Sequence, residues 1–457
     1  MLNLPYEKQL AIKQKKLTEL LGKYGKIEKI IGMENPKHYR NKVHAAFGFD
    51  KNKGIISGIY QPESHKIVPV SACAIEDETA DAIINTIRQM MPEYKITAYD
   101  ERKCTGFLRH VLVKRSFSTG EIMVVLVVTD PVFKLQKHFV KALTDKYPNI
   151  KSIILNINDR FTPVVLGRQE KLIYGRDYIE DELCGLTFRI SAKSFYQINP
   201  VQTEVLYNTA IEFAELTGKE YILDAYCGTG TIGLTASKYA EKAAGVEINR
   251  DAVKDAIANA KANGIKNCWF TCADAGDYME EMTAAKEKCD VVFMDPPRSG
   301  SDEKFIASLL KLAPKKIVYI SCNPETLARD LELICKSKYK VQKIQPVDMF
   351  PHTNHVETVV QLVRKKPDTY LDVDIDLSEL DVTASEAKAT YREIKDYILE
   401  KHGVKVSSLY IAQIKEKNGI IERECYNKPK SDESKQPQCP LEKEKLITEA
   451  LKHFQMI

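Results

Sequence analysis

The sequence predicts an α/β protein: a doubly wound, mostly parallel sheet, preceded by an α+β domain and followed by a small, mostly helical one. Three observations predict it. From Tyr221 to Arg364 short apolar runs alternate with helical patterns, as repeated β-α units do. From about Asn41 to Arg189 strand-like runs dominate, with only two helical inserts, which is the pattern of an α+β unit. After Lys366-Pro367 the composition turns acidic and then helical. The expected boundaries are 1–35 for an N-terminal helix, 36–190 for the central domain, 191–366 for the doubly wound domain and 369–457 for the tail.

The elements follow in order. Tyr6 to Leu21 is a lysine-rich amphipathic helix pattern. VHAAFGF, GIISGIY, RHVLVKRSF, EIMVVLVV and SIILNIN read as strands, with helices near Asp77–Met91 and Phe133–Tyr147. A helix over Pro200–Leu216 leads into seven strands: YILDAY, AAGVEI, WFTCAD, DVVFMD, KIVYIS, VQKIQPVDMF and VETVVQLVR. TIGLTASKYA and DAVKDAIANAKANG supply the first crossover helices. The last two strands have a short connection, which fits an antiparallel addition at the sheet edge. In the tail, the acidic TYLDVDIDLSELD precedes a helix over Ser385–His402, a turn at Gly403 and a helix over Ser407–Asn418. The polar loop NKPKSDESKQPQCP and a helix over Glu442–His453 complete it. The first helix pair could form a helix-turn-helix. The tail's acidic balance favours a small docking domain instead.

Composition narrows the class. The chain has 457 residues, 44% hydrophobic and 28% charged, ordinary values for a globular protein with two or three cores. No apolar run is long enough to span a bilayer, and the N-terminus lacks a signal-peptide core. Eleven scattered cysteines without a C-x-x-C pair make a poor disulfide framework and a poor zinc site, so no metal and a reducing cytoplasm are expected. The net charge of +4 hides an asymmetry: the tail from Thr369 carries −3 and the preceding part +7. A basic main body suits a polyanionic partner.

LDAYCGTGTIGL (Leu223–Leu234) places Asp224 at a strand end, with Gly228, Gly230 and Gly233 before a helix. Glycines there permit a tight turn and close backbone approach to a ligand. Glu247 ends the next strand about 20 residues on, where an acid accepts hydrogen bonds from ribose hydroxyls. Asp274 follows the third strand, placed to meet an exocyclic amine. Taken singly, Glu247 or Asp274 reads as a helix N-cap. In register they favour a cofactor, and no arginine or second glycine cluster awaits a pyrophosphate. A nucleoside without phosphates, S-adenosylmethionine, fits better than a dinucleotide.

MDPPRSG places Asp295 at a further strand end and fixes Arg298 on a proline-stiffened turn. An aromatic residue after DPP would suit amino methylation of a flipped base; here Arg298 stands instead, and Asp295 could accept a uracil N3–H. YISCNPETLARD then sets Cys322 where a buried strand gives way to a turn, and HTNHVETVVQL sets Glu357 at the start of the last strand. Alone, Cys322 reads as a small buried hydrophobe and Glu357 as an exposed strand-end carboxylate. Together with a methyl-donor site they suit methylation of uracil C5. Thiolate addition to C6 makes C5 nucleophilic, and a carboxylate can then remove the C5 proton.

The set SFYQINPVQTEVLY, DAYCGTGTIGL, GVEIN, DPPRSG, YISCNPETLARD and HTNHVETV closely resembles the bacterial 23S rRNA (uracil-5-)-methyltransferases, with the tRNA (uracil-5-)-methyltransferases as relatives. The resemblance covers about Leu4 to Lys366. It implies a Rossmann-like S-adenosylmethionine-dependent methyltransferase domain with a seven-stranded sheet. It also implies a nucleophile at Cys322, a base at Glu357 and cofactor contacts from Gln197, Tyr226, Glu247 and Asp295. Gly228 and Asp274 are added from the residues themselves. Many members begin with a small β-barrel and three close cysteines that hold a 4Fe–4S cluster with a fourth. Here Cys73 resembles that fourth ligand on its own, and no iron–sulfur cluster is expected. The tail has no counterpart in the resemblance.

RNA contact is expected from Arg40 and Lys42 in YRNKVHAAF and Arg109 in RHVLVKR, where basic and aromatic residues mix on strands, and from Arg298. Any one of these could equally be part of a solvated strand face. The leading expectation is 5-methyluridine formation in 23S rRNA by a cytoplasmic monomer, with neither DNA nor a membrane as partner. The same reaction on a tRNA loop is the alternative, and a non-catalytic RNA-binding protein keeping the fold is the second. Cytosine-5 chemistry is disfavoured by the absence of a Pro-Cys dipeptide.

Overall fold

The computed structural model describes residues 1, 3–62, 64–365, 391–418, 439–454 and 456. Residues Met1–Asp368 form one compact unit and Thr369–Ile457 a second.

The first unit opens with helix α1 (Tyr6–Leu21), then builds a seven-stranded mixed sheet. Its strands are β1 (Lys42–Asp50), β2 (Gly54–Tyr60), β3 (Ile67–Pro69), β4 (Leu108–Arg115), β5 (Ile122–Val128), β6 (Ile150–Ile157) and β7 (Gln169–Gly175), in the order β3-β2-β1-β4-β5-β6-β7. All neighbours are antiparallel except β5 and β6. Two helices, α2 (Glu78–Met90) and α3 (Gln136–Lys146), fall where the sequence predicts them. Asp77 caps α2 by accepting the Ala80 N–H at 2.9 Å. Ile83, Ile84 and Ile87 of α2 and Phe139 and Leu143 of α3 bury against one sheet face through Val43, Ala45, Phe47, Val111 and Val113. The alternating residues Leu112, Met123, Val125 and Ile154 face the other way. They share a core with the hairpin β8 (Tyr178–Leu183) and β9 (Leu186–Ser191) and with α4 (Pro200–Ala214).

The second sheet comprises β10 (Tyr221–Asp224), β11 (Lys242–Glu247), β12 (Cys268–Cys272), β13 (Val291–Met294), β14 (Lys316–Ser321), β15 (Tyr339–Val347) and β16 (Glu357–Arg364), in the order β12-β11-β10-β13-β14-β16-β15. The crossovers are α5 (Thr231–Ser237), α6 (Arg250–Ala262), α7 (Ala275–Ala284), α8 (Glu303–Leu312) and α9 (Pro324–Lys336). The first five strands pair in parallel. The sequence anticipates two late strands added at the edge. In the structure β16 inserts between β14 and β15 and runs antiparallel to both, so the edge is β15. The first six residues of β16, Glu357 to Leu362, are buried, as a central strand requires. The reversal of strand order at β10 and β13 opens a crevice at the strands' carboxyl ends, where open α/β sheets bind ligands.

Helix α1 does not stand apart from this sheet. Leu17 and Leu21 join the core of β10, β13 and β14, and Ile27 and Ile31 form parallel bridges to β15 at Ile344 and Val347. Lys13 is buried and pairs with the buried Asp348 at 2.6 Å, while Tyr6 Oη donates to the other oxygen of that carboxylate at 2.9 Å. Lys13 also donates to Phe350 O at 3.0 Å. The turn after β15 is thereby tied to the N-terminal helix. Removing one partner of a buried pair leaves an uncompensated charge, which costs about 3–5 kcal/mol. Lys13→Met is therefore expected to lower stability by that order, read as a lower urea midpoint at constant slope. Lys13→Met with Asp348→Leu should recover most of the loss; a double variant as unstable as the single would show that the pair's charge is not what matters.

In the second unit, α10 (Tyr391–His402), α11 (Ser408–Lys417) and α12 (Leu441–His453) pack through Ile394, Ile398, Ile411, Ile414, Ile447 and Leu451. Gly403 takes a left-handed conformation (φ 66°) after α10, as a helix C-terminus favours. The acidic stretch, the expected start of this helix at Ser385–Thr390 and most of the polar loop lie outside the described residues.

Candidate active site

The glycine loop after β10 is shaped by contacts that explain its residues. Asp224 is buried at the strand end and accepts the Gly233 N–H through Oδ2 at 2.8 Å. A Cβ on Gly233 would stand 3.1 Å from that same oxygen, so glycine lets α5 close on β10. Gly230 has φ 84°, and a Cβ there would meet the Phe270 ring at 2.8 Å. Glu247 ends β11 and accepts the Gly228 N–H at 3.1 Å and the Asn249 N–H at 2.8 Å. It is not the cap of α6; Asn249 is.

A cleft of about 370 Å³ opens here, lined by Gln197, Tyr226, Gly228, Glu247 and Asp295 together with aromatic and apolar walls from Phe195, Tyr196, Ile248 and Pro297. Small-molecule sites have about this size and lining. No lysine or arginine lines it among the described residues, while two carboxylates do. That donor set fits a phosphate-free cofactor with a positive sulfonium and repels a pyrophosphate. Asp274 is not part of this lining. Its side chain accepts the Asp277 N–H at 3.1 Å as the cap of α7, the more ordinary role for a strand-end acid. Sequence reasoning missed Tyr207, whose hydroxyl shares a hydrogen bond with Thr231 Oγ1 at 2.9 Å, and the exposed Ile248. Ile248 had a legible signal: an isoleucine directly after the strand-end acid.

The DPPRSG and SCNPETLARD segments form one assembly. Asn323 caps α9 and Pro324 takes the first helical position, so the Asn-Pro turn is a helix start. Asn323 Nδ2 donates to Arg298 O at 3.1 Å, and Arg329 donates to Ser299 O and Ser301 O at 3.0 and 2.9 Å. Asp330 accepts the Ser301 N–H at 2.9 Å and the Tyr319 hydroxyl at 2.6 Å. The T-L-A-R-D residues thus hold the loop that carries Asp295 and Arg298.

Cys322 and Glu357 meet across this loop. Strands β14 and β16 pair antiparallel with Ser321 opposite Thr358, so the next positions outward, Cys322 and Glu357, face each other at the crevice. Cys322 is half-buried; Glu357 is 4% exposed, and its Oε2 has no hydrogen-bond partner. Burial first, then the charges of Glu357 and Asp295, pushes the Cys322 thiol up to about 11, against the lowering effect of Arg298. Burial and Asp295 hold the Glu357 carboxyl well above the usual range, again opposed by Arg298. Burial pushes Asp295 up to about 7. Asp295 therefore lines the cleft and also acts electrostatically on Cys322 and Glu357, and the exposed Arg298 is the cation that offsets them.

The expected RNA contacts are less uniform. Arg40 and Lys42 are half-buried, with burial lowering the Lys42 ammonium pKa. Arg109 departs from the expectation of a free strand-face cation. It is 3% exposed and donates to Asn158 O and Arg160 O at 2.9 and 2.7 Å. Cys73 is half-buried and its N–H donates to Asp81 at 2.9 Å. Among the described residues no group of three or more His, Cys, Asp or Glu is placed to hold a metal ion, and no helix is long and apolar enough to cross a membrane.

The chain is similar to known RNA methyltransferases. Residues 5–365 match the family described as tRNA (uracil-5-)-methyltransferase. An uncharacterized RNA methyltransferase of Clostridium tetani is 42% identical over 362 residues, 78% of each chain. One from Caldanaerobacter subterraneus is 43% identical over 366 residues, 79% of this chain and 81% of its own. Among solved structures, the Pyrococcus abyssi tRNA (uracil-54, C5)-methyltransferase in complex with S-adenosyl-L-homocysteine superposes with a TM-score of 0.67 at 29% identity, covering 79% of this chain and 84% of that one.

Proposed function

Because the chain belongs to the tRNA (uracil-5-)-methyltransferase family and is an S-adenosylmethionine-dependent enzyme, we propose that it methylates C5 of a uridine in 23S rRNA. The opposition of Cys322 and Glu357 beside the Asp295 end of the cofactor cleft carries the reading. Gln197, Tyr226, Gly228 and Glu247 would hold the cofactor, which would supply an electrophilic methyl group when bound. Cys322 adds to C6 of the uracil, and the electron pair displaced from the C5–C6 bond makes C5 nucleophilic. After C5 is methylated, Glu357 takes the C5 proton, the double bond re-forms and the thiolate leaves. Asp295 and Arg298 set the charge around both groups. A uridine in a duplex cannot present C6 to Cys322, so the target lies in a loop or is flipped out.

The first sheet offers RNA a surface beyond the catalytic sheet, which a structured rRNA substrate would use. A tRNA loop is the second reading, favoured by the likeness to the Pyrococcus abyssi enzyme. Incubation with methyl-labelled cofactor and separate rRNA and tRNA pools lacking 5-methyluridine tests both. Label recovered as 5-methyluridine from rRNA is the expected result. Label from tRNA alone changes the substrate and keeps the chemistry; label in a different nucleoside overturns the chemistry.

A further inference from the structure

A second cavity, of about 490 Å³, lies in the first sheet rather than in the crevice. His44 of β1 and His110 of β4 form its floor, with ring centroids 4.8 Å apart, and Tyr60, Arg109 and Phe161 stand at its walls. Its construction is specific. Leu108 pairs with Val128 and His110 with Val127, so Arg109 is the extra residue of a β-bulge. Bulges re-aim side chains, and this one turns Arg109 to the same cavity as its neighbour His110, against the alternation of a regular strand. One guanidinium nitrogen of Arg109 ties down the carbonyls of Asn158 and Arg160. Asn158 in turn donates to Val164 O and Val165 O at 2.8 and 2.9 Å. These bonds fix a loop whose Phe161 is 77% exposed.

Three buried polar atoms of residues that line this cavity have no hydrogen-bond partner: Arg109 Nε, His110 Nδ1 and His44 Nε2, with the Arg109 guanidinium lying over the Tyr99 ring at 4.7 Å. Arg109 and His110 are 3% and 5% exposed, so their atoms are desolvated without compensation, which costs free energy unless a ligand supplies the bond. Burial also holds both imidazoles neutral, pushing His44 down to about 4 and His110 to about 3. Glu101 stands at the rim, accepting from Tyr60 Oη at 3.0 Å and from His65 at 2.6 Å. Neutral rings and a rim carboxylate disfavour phosphate. A planar, uncharged group with hydrogen-bonding edges and a face to stack fits instead.

The cavity's position connects it with the active site. His44 pairs with Leu112, whose face of the sheet shares a core with α4. Three residues before His44, Asn41 donates from its side chain to Gln197 O at 3.1 Å and from its backbone to Ile198 O at 2.9 Å. Gln197 lines the cofactor cleft, so along β1 the cavity begins about 10 Å from the cleft rim.

We propose that this cavity binds a nucleobase of the substrate RNA other than the target uridine, with Phe161 stacking on the base and the Arg109–His110 bulge reading its edge. The inference rests on the reading of the protein as an RNA uracil methyltransferase. It adds a specificity-determining site outside the catalytic sheet. Base stacking on one aromatic side chain is sequence-tolerant, whereas edge hydrogen bonds are selective.

The test uses the full chain and a 23S rRNA fragment lacking 5-methyluridine, with Phe161→Ala and His110→Phe. Phe161 is on the surface and its replacement leaves the core intact. RNA binding by Phe161→Ala should weaken about tenfold, with the slope of log affinity against log salt unchanged, because no phosphate contact is lost. Methyl transfer at saturating RNA should stay within about twofold of wild type. His110→Phe should relax discrimination at one non-target nucleotide, read by scanning substitutions along the fragment. Unchanged binding by both variants while wild type methylates would overturn the proposal and leave the enzymatic reading standing. Phe161-dependent binding without methylation by wild type would keep the site and overturn that reading. A wild type that neither binds nor methylates RNA overturns both.

Discussion

Cys322→Ala should abolish 5-methyluridine formation, lowering the single-turnover rate by at least about 10³-fold, while S-adenosylhomocysteine binds within about twofold of wild type. The separation is expected because Cys322 does not line the cofactor cleft, whereas Asp295 does. The wild-type rate should also carry the signature of this thiol. Its pKa is raised to about 11, so the thiolate is scarce at neutral pH and its fraction grows tenfold for each unit of rising pH. Burial and Asp295 hold the Glu357 carboxyl above its usual range, so its ionised, basic form also grows as pH rises. The logarithm of the single-turnover rate should therefore rise with pH at a slope of at least about one across neutrality, not fall. RNA that neutralises the site by bringing its own donors would shift the profile toward lower pH without changing that sign. Activity of the alanine variant within about tenfold of wild type would remove Cys322 from the reaction.

Much of the catalytic sheet was legible because its signals are local. Apolar runs bounded by Gly, Asn and Pro mark β10 to β14, and strand-end acids mark the crevice that the switch in strand order creates. The pairing of Cys322 with Glu357 was less legible. It depends on β16 entering between β14 and β15, and strand order is a long-range property that periodicity does not encode. Asp274 shows the opposite case. Its position after β12 suggested a ligand contact, and in the structure one of its oxygens caps the start of α7 outside the cleft lining. Arg109 departs from a free strand-face cation for a different reason. A bulge breaks the alternation of β4, and nothing in RHVLVKR announces which residue will be the extra one. The buried Lys13–Asp348 pair was hidden by Lys13 lying in a lysine-rich helix, where most neighbours are solvated and one is not.

Glu357→Gln should accumulate a covalent RNA–protein adduct that carries the transferred methyl group. The order of bond changes requires it. Addition of the Cys322 sulfur to C6 and methylation of C5 both precede loss of the C5 proton, and only that loss returns the electron pair that expels the thiolate. A glutamine keeps the shape of the side chain but is not a base at any accessible pH. Glu357 is suited to the step by its position: it faces Cys322 across the end of the β14–β16 pair, and its unpartnered Oε2 is free to accept a proton. Its raised pKa strengthens the carboxylate as a base once ionised, with Arg298 providing the opposing charge. The replacement also removes one of the two carboxylates that raise the Cys322 pKa, so thiol addition should be no slower in the variant. Product release should then fall by at least about 10²-fold, the usual scale for losing a general base. On denaturing gels the variant should show a slow band, labelled from the methyl donor and collapsed by ribonuclease. Cys322→Ala with Glu357→Gln should show none, because the sulfur that forms the adduct is gone. Normal turnover by Glu357→Gln without a band would transfer the role of base to another group, and Asp295, pushed up to about 7 beside the same two residues, would be the next to replace.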